Sequence, residues 1–213
     1  MYVNNLVSIG STCKTRYQID RFLKAIDPGR RPTTYFFDGL MGGNIKGVIN
    51  IIERDFVLRP GDICVVERVG KFIPCDRLSG FVFLHDFGTK DACWSSRAEC
   101  ESALAAAFDL SMEKYTYLGK KTANFLAGDT VSCLVYYGAC GQGDFANLLS
   151  VLHRKFGKEF TILNVLNGKP MPATRNGAVL TVFVDDDNSP KLGTSREWEG
   201  DDESWDAALG ALY

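Results

Sequence analysis

The sequence predicts an α/β fold: a single three-layer domain, residues 1–213, whose largely parallel or mixed sheet is flanked by helices. Three observations carry this expectation. Short apolar runs alternate with longer segments of helical periodicity, most regularly from Val131 onward. Glycine-containing turns fall where a strand-like run gives way to a helix, at Gly10 and again across Gly138 to Gly143. The chain's 213 residues, 46% of them hydrophobic, are enough for one sizeable core.

Val7 to Ile9 reads as a short strand that breaks through Gly10 into a polar turn, Ser11-Thr12-Cys13, opening a helix. Thr15 to Ile26 then shows one apolar face (Tyr17, Ile19, Phe22, Leu23, Ile26), ended by Asp27-Pro28-Gly29. Asn44 can cap a second helix, Ile45 to Phe56, with Val48, Ile49, Ile51 and Ile52 buried. Arg59-Pro60-Gly61-Asp62 is a turn, followed by strand-like runs at Ile63 to Val66 and Phe81 to Leu84. The second run stops at His85-Asp86-Phe87-Gly88. A long helix is expected from Ser95 or Ser96 to Ala123 or Phe125. Strand Val131 to Tyr137, helix Asp144 to Phe156 with an Asp cap, and strands Phe160 to Val165 and Ala178 to Val184 complete the pattern. Asp185 to Pro190 and Glu197 to Glu203 read as solvated loop and acidic tail from about residue 186. Trp198 and Trp205 nevertheless imply that the tail packs against something.

A formal charge of -2 without a dense Lys/Arg block argues against nucleic acid as a partner. The start of the chain lacks the pattern of a secretory signal, and no run of eighteen apolar residues occurs, so neither export nor membrane insertion is expected and a cytoplasmic location is. Seven cysteines, an odd number, suit reduced thiols rather than a disulfide framework. The pairs Cys93/Cys100 and Cys133/Cys140 are spaced too widely for usual zinc ligation, so no metal and no cofactor is expected. The expected partner is a small-molecule or peptide substrate.

Cys13 stands out by position. A thiol at a helix start lies beside unpaired backbone N–H groups, which favour a thiolate or a bound anion. Gly10, Ser11 and Thr12 are the matching oxyanion or anion-binding residues. Of two histidines, His85 ends a strand-like run, where ligand sites collect in open α/β sheets, whereas His153 lies mid-helix. Asp38 and Asp86 are candidates to orient His85, although Asp86 needs a backbone bend to meet its neighbour's ring. The loop from Tyr137 to Asp144 also joins a strand to a helix and makes Cys140 a second candidate nucleophile. It has neither P-loop nor dinucleotide-turn spacing. Asp185, Asp186 and Asp187 are either a solvated turn or a divalent-cation site.

Ser8-Ile9-Gly10-Ser11-Thr12-Cys13, then Phe37-Asp38, then Phe83-Leu84-His85-Asp86-Phe87, resembles the blocks of a bacterial family described as papain-like cysteine peptidases. The match covers roughly the first 90 residues. Ile9 replaces a leucine of the family pattern, and Gly39 stands where a tryptophan is usual. The resemblance implies Cys13 as nucleophile and His85 as base. It also implies a cysteine-bearing helix set against an antiparallel sheet, whereas the second half of this chain has the rhythm of parallel βα units. The expected function is a thiol-dependent hydrolase or acyltransferase acting on an amide, ester or thioester. The alternatives are an anion- or phosphate-binding module, and an enzyme of surface-polysaccharide assembly in which Cys13 is structural.

Overall fold

The computed structural model describes residues 5–10, 12–88, 94–129, 132–169 and 171–213. Strand β1 (Asn5–Ser8) leads to helix α1 (Cys13–Ile26), followed by β2 (Leu40–Met41) and α2 (Ile45–Glu53). Strands β3 (Ile63–Arg68), β4 (Lys71–Asp76) and β5 (Val82–Phe83) precede the long α3 (Arg97–Ala127). The second half runs β6 (Ser132–Tyr137), α4 (Gln142–Phe156), β7 (Thr161–Asn167), β8 (Thr174–Asn176), β9 (Val179–Val184) and α5 (Asp202–Gly210).

The main sheet has the order β1-β6-β7-β9-β8, parallel except for β8, which pairs antiparallel with β9. The interior strand β6 is buried on both faces, as its continuous apolar run requires. One face packs Leu6, Val135 and Leu163 against Ile19 and Leu23 of α1 and Trp205 and Leu209 of α5. The other packs Val7, Leu134 and Ile162 against α2, α3 and α4 through Ile49, Leu118, Leu148 and Leu152. Helix, sheet and helix thus form the three layers expected.

A second sheet, β2-β5-β4-β3, is antiparallel and lies within the segment between α1 and α3. Aromatic edges bind it to the main core: Phe36, Phe83 and Phe87 surround Tyr115 of α3, and Phe37 packs on Phe81. Pro74 had hidden β4 in the sequence, because a proline cannot donate to a ladder; here it faces Val65 within the β3–β4 pair.

The helix starts match two expectations and correct a third. Asn44 accepts a hydrogen bond from the Gly47 N–H at 3.1 Å, and Ser96 accepts one from the Glu99 N–H at 3.3 Å. Asp144 lies inside the first turn of α4, and Gly141 holds the cap position. Helix α2 ends earlier than periodicity suggests, because Asp55 and Phe56 adopt left-handed φ of 57° and 58°.

The segment from residue 186 is not a solvated tail. Asp186 is buried and accepts hydrogen bonds from Lys14 Nζ (2.7 Å), the Tyr137 hydroxyl (2.8 Å), the Asp201 N–H (2.9 Å) and the Trp205 indole (3.2 Å). Trp205 is fully buried. Four donors satisfy a carboxylate that would otherwise be costly to bury, and they fasten α5 to the sheet. No described helix is long and apolar enough to cross a membrane.

Candidate functional site

The chains leaving β1 and β6 go to opposite faces of the sheet: α1 packs on the α5 side and α4 on the α2 side. Neighbouring parallel strands whose connections diverge in this way open a crevice at their carboxyl ends, the usual ligand position in open α/β sheets. Both glycine-containing loops noted in the sequence leave the sheet at this end, after β1 and β6. The Ile9 N–H donates to Val135 O at 3.0 Å, extending the β1–β6 ladder to the start of the first loop.

Gly10 is required there. Its φ is +96°, and a methyl group on it would stand 2.9 Å from the Phe81 ring. The first loop is thereby pressed against the second sheet. Cys13 is the first residue of α1, half-buried, and its thiol donates to the Met41 sulfur at 4.0 Å. No acidic residue lies in the first turn of α1, and the Thr12 side chain makes no cap hydrogen bond. The Thr12 hydroxyl is buried without a hydrogen-bond partner, as is that of Thr15. Ser11 falls outside the described residues.

Sheet pairing sets the distance to His85. Met41 pairs with Val82 and Leu40 with Phe83, and His85 follows three residues after Val82, hence within about 10 Å of it along the chain. It is exposed, on the bend after β5. The next residue turns inward: Asp86 accepts from Lys114 Nζ at 2.6 Å and from the Tyr115 hydroxyl at 3.0 Å, both on α3. A buried Phe87 with φ of 56°, its N–H bonded to the Ser111 hydroxyl at 2.9 Å, completes the turn. Gly39 faces this corner: a side chain on it would begin 3.6 Å from the Tyr115 hydroxyl and 3.8 Å from Asp86 Oδ2.

The described bonds of Asp38 run to α1 and to its own turn. Its carboxylate lies 3.4 Å from the Arg16 guanidinium and accepts the Tyr35 N–H at 2.6 Å. Burial pushes this carboxyl up to about 7, against the opposing pull of Arg16, and its Oδ1 has no hydrogen-bond partner. Arg16 escaped the sequence reading, though its place one helical turn after Cys13 was a usable signal. Lys114 and Tyr115, far along the chain, gave none.

The second loop is arranged differently. Cys140 Sγ lies 3.7 Å from Asp144 Oδ2. Burial first, and then the Asp144 charge, pushes its thiol up to about 11. That is far from a thiolate near neutral pH, so Cys140 is a poor nucleophile. His153 sits eleven residues into α4, about 16 Å from its start, and pairs with Glu159 at 3.1 Å away from the crevice.

The fold defines an open α/β domain that presents Cys13 at a helix start whose first turn carries no acid. The chain matches no known protein-family model, no curated protein and no solved structure.

Proposed function

We propose that the protein is a thiol-dependent hydrolase or acyltransferase, as the resemblance to papain-like cysteine peptidases implies, with Cys13 as nucleophile and His85 as general base. The observation that carries this reading is the start of α1: a thiol at the first helical position, no acid in that turn and no cap bond from the Thr12 side chain. The backbone N–H groups of a helix start and the helix dipole favour a thiolate there, and later an oxyanion.

His85 takes the Cys13 proton, and the sulfur attacks the carbonyl carbon of an amide, ester or thioester. A C–S bond forms and the carbonyl electron pair moves to oxygen, facing the N–H groups near Thr12 and Cys13. Collapse expels the amine, alcohol or thiol, which takes the proton back from His85, and water or a second nucleophile then releases the acyl group. Asp86 positions His85 indirectly, because its bonds to Lys114 and Tyr115 fix the bend on which the imidazole stands.

The test is Cys13→Ser, assayed for turnover over amides, esters and thioesters and checked by thermal melting. Turnover is expected to fall at least about a thousandfold with the fold intact. Equal turnover in variant and wild type, or none in either, overturns the reading. Retained anion binding without turnover in either protein would favour the rival binding module.

A further inference from the structure

We infer that a second cleft, over β7, β9 and β8 on the α4 face, binds a neutral polyhydroxylated molecule of about monosaccharide size. The sheet register sets Asn164, Thr181 and Thr174 abreast across the three strands, with Asn176 and Val179 in the adjoining row. Ile162 and Val179 of those strands belong to the core on the α4 side, so alternation puts Asn164, Thr181 and Thr174 on that same face. Phe145 and Cys140 close the end nearest α4, leaving a cleft of about 390 Å³. That size suits a small organic ligand.

Asn164 is the residue that folding alone does not explain. It is 4% exposed, it lines this cleft, and its Oδ1 has no hydrogen-bond partner. A buried acceptor left unsatisfied is costly, and an apolar side chain would spare that cost in the middle of a strand whose neighbours Leu163 and Val165 are apolar. A ligand hydroxyl donating to Oδ1 supplies the missing partner.

The remaining side chains set the ligand's character. Thr174, Thr181, Asn164 and Asn176 can each donate and accept, as a ring of hydroxyls requires. Arg175, also on the lining, lies between Thr174 and Asn176 and pairs with Leu180, so its side chain starts from the α5 side, where its charge acts on Cys133. Cys140 stays protonated, its thiol pushed up to about 11. With the one charged lining residue based on the opposite face of the sheet, a neutral ligand is favoured over a phosphorylated one. Phe145 is buried and engages Tyr136 edge to face, so it gives an apolar wall but no open ring for stacking a nucleobase.

Titration calorimetry of the full chain with glucose, galactose and mannose, set against glucose 6-phosphate and adenosine, tests the inference. At least one neutral sugar is expected to bind with a Kd below about 1 mM. Asn164→Leu should weaken that binding at least about tenfold, while the melting temperature holds or rises because the orphaned acceptor is gone. Thr181→Val, nearly isosteric, should weaken it several-fold and serves as the test if the leucine variant does not fold. Cys13→Ser should bind as wild type does, which separates this site from the thiol chemistry. The inference is overturned if no neutral sugar binds saturably, if adenosine or the sugar phosphate binds more tightly, or if the cleft variants bind like wild type.

Discussion

The loops after β1 and β6 share one grammar, strand then glycine then cysteine at a helix start, yet they leave their thiols in opposite conditions. At the start of α1 the first turn carries no acid, and Lys14 and Arg16 follow the thiol. At the start of α4, Asp144 answers the helix's positive end and lies 3.7 Å from the Cys140 sulfur. A helix N-terminus is therefore not by itself an activating site. A carboxylate in the first turn takes up the positive end that would otherwise favour a thiolate.

The contrast breaks most sharply on the histidines. His85→Ala is expected to lower turnover on the order of 10²-fold or more, and His153→Ala to leave it nearly unchanged. His85 follows β5, which pairs with the strand that touches Cys13, whereas His153 is about 16 Å along α4 from its start. Rates measured on variants with unchanged melting curves decide the matter, and equal losses would deny His85 any special role.

Thiol reactivity measures the contrast directly. A thiol titrating near 11 is ionised at about 1 part in 3,000 at pH 7.5, so Cys140 should react with iodoacetamide at least about tenfold more slowly than Cys13. Cys75 and Cys133, pushed up to about 11 and about 12 by burial, should be slower still behind their packed surroundings. Mass mapping after brief treatment of the folded protein gives the order; a Cys13 that stays unmodified until unfolding removes it as nucleophile.

Asp144→Asn sharpens the same comparison with a smaller effect. Removing the charge should lower the Cys140 pKa and raise its alkylation rate several-fold. Burial, the larger cause, remains, so Cys140 should still trail Cys13. If the substitution changes nothing, the difference between the loops lies in burial alone.

Much of the main sheet was legible because its strands are continuous apolar runs separated by turn residues, and β6, β7 and β9 fall within two residues of expectation. The second sheet was legible only in part. Strands β3 and β5 fall at the runs Ile63 to Val66 and Phe81 to Leu84, whereas β2, two residues long, lies below any periodicity and Pro74 broke the pattern of β4. Helix α5 was masked by acidic residues that turn out to cap it and to bind Arg21, as Asp201 and Asp206 do. Within the site, Cys13 and Cys140 could be found from their loops, and the restraint on Cys140 was visible in Asp144 four residues on. The pairing of Asp38 with Arg16, and of Asp86 with Lys114 and Tyr115, depends on tertiary contacts that no local pattern encodes.

Asp38 supplies the finest test, because it is the carboxyl that reaches α1 one turn after Cys13. Burial raises it from its ordinary 3.8 to about 7. Between those values the unfolded chain has released this proton and the folded chain still holds it, so Asp38 makes stability fall as pH rises from about 4 to about 7, with little further change above. Asp38→Asn cannot titrate and should lose that slope. Relative to wild type it should gain on the order of 1–4 kcal/mol between pH 4 and pH 8, seen as a relative rise of about 2–4 °C in melting temperature per kcal/mol. Parallel melting profiles for the two proteins would mean that Arg16 keeps Asp38 ionised throughout. The start of α1 would then have an ionised carboxylate nearby, as α4 has in Asp144, and the difference between the two thiols would rest on distance alone.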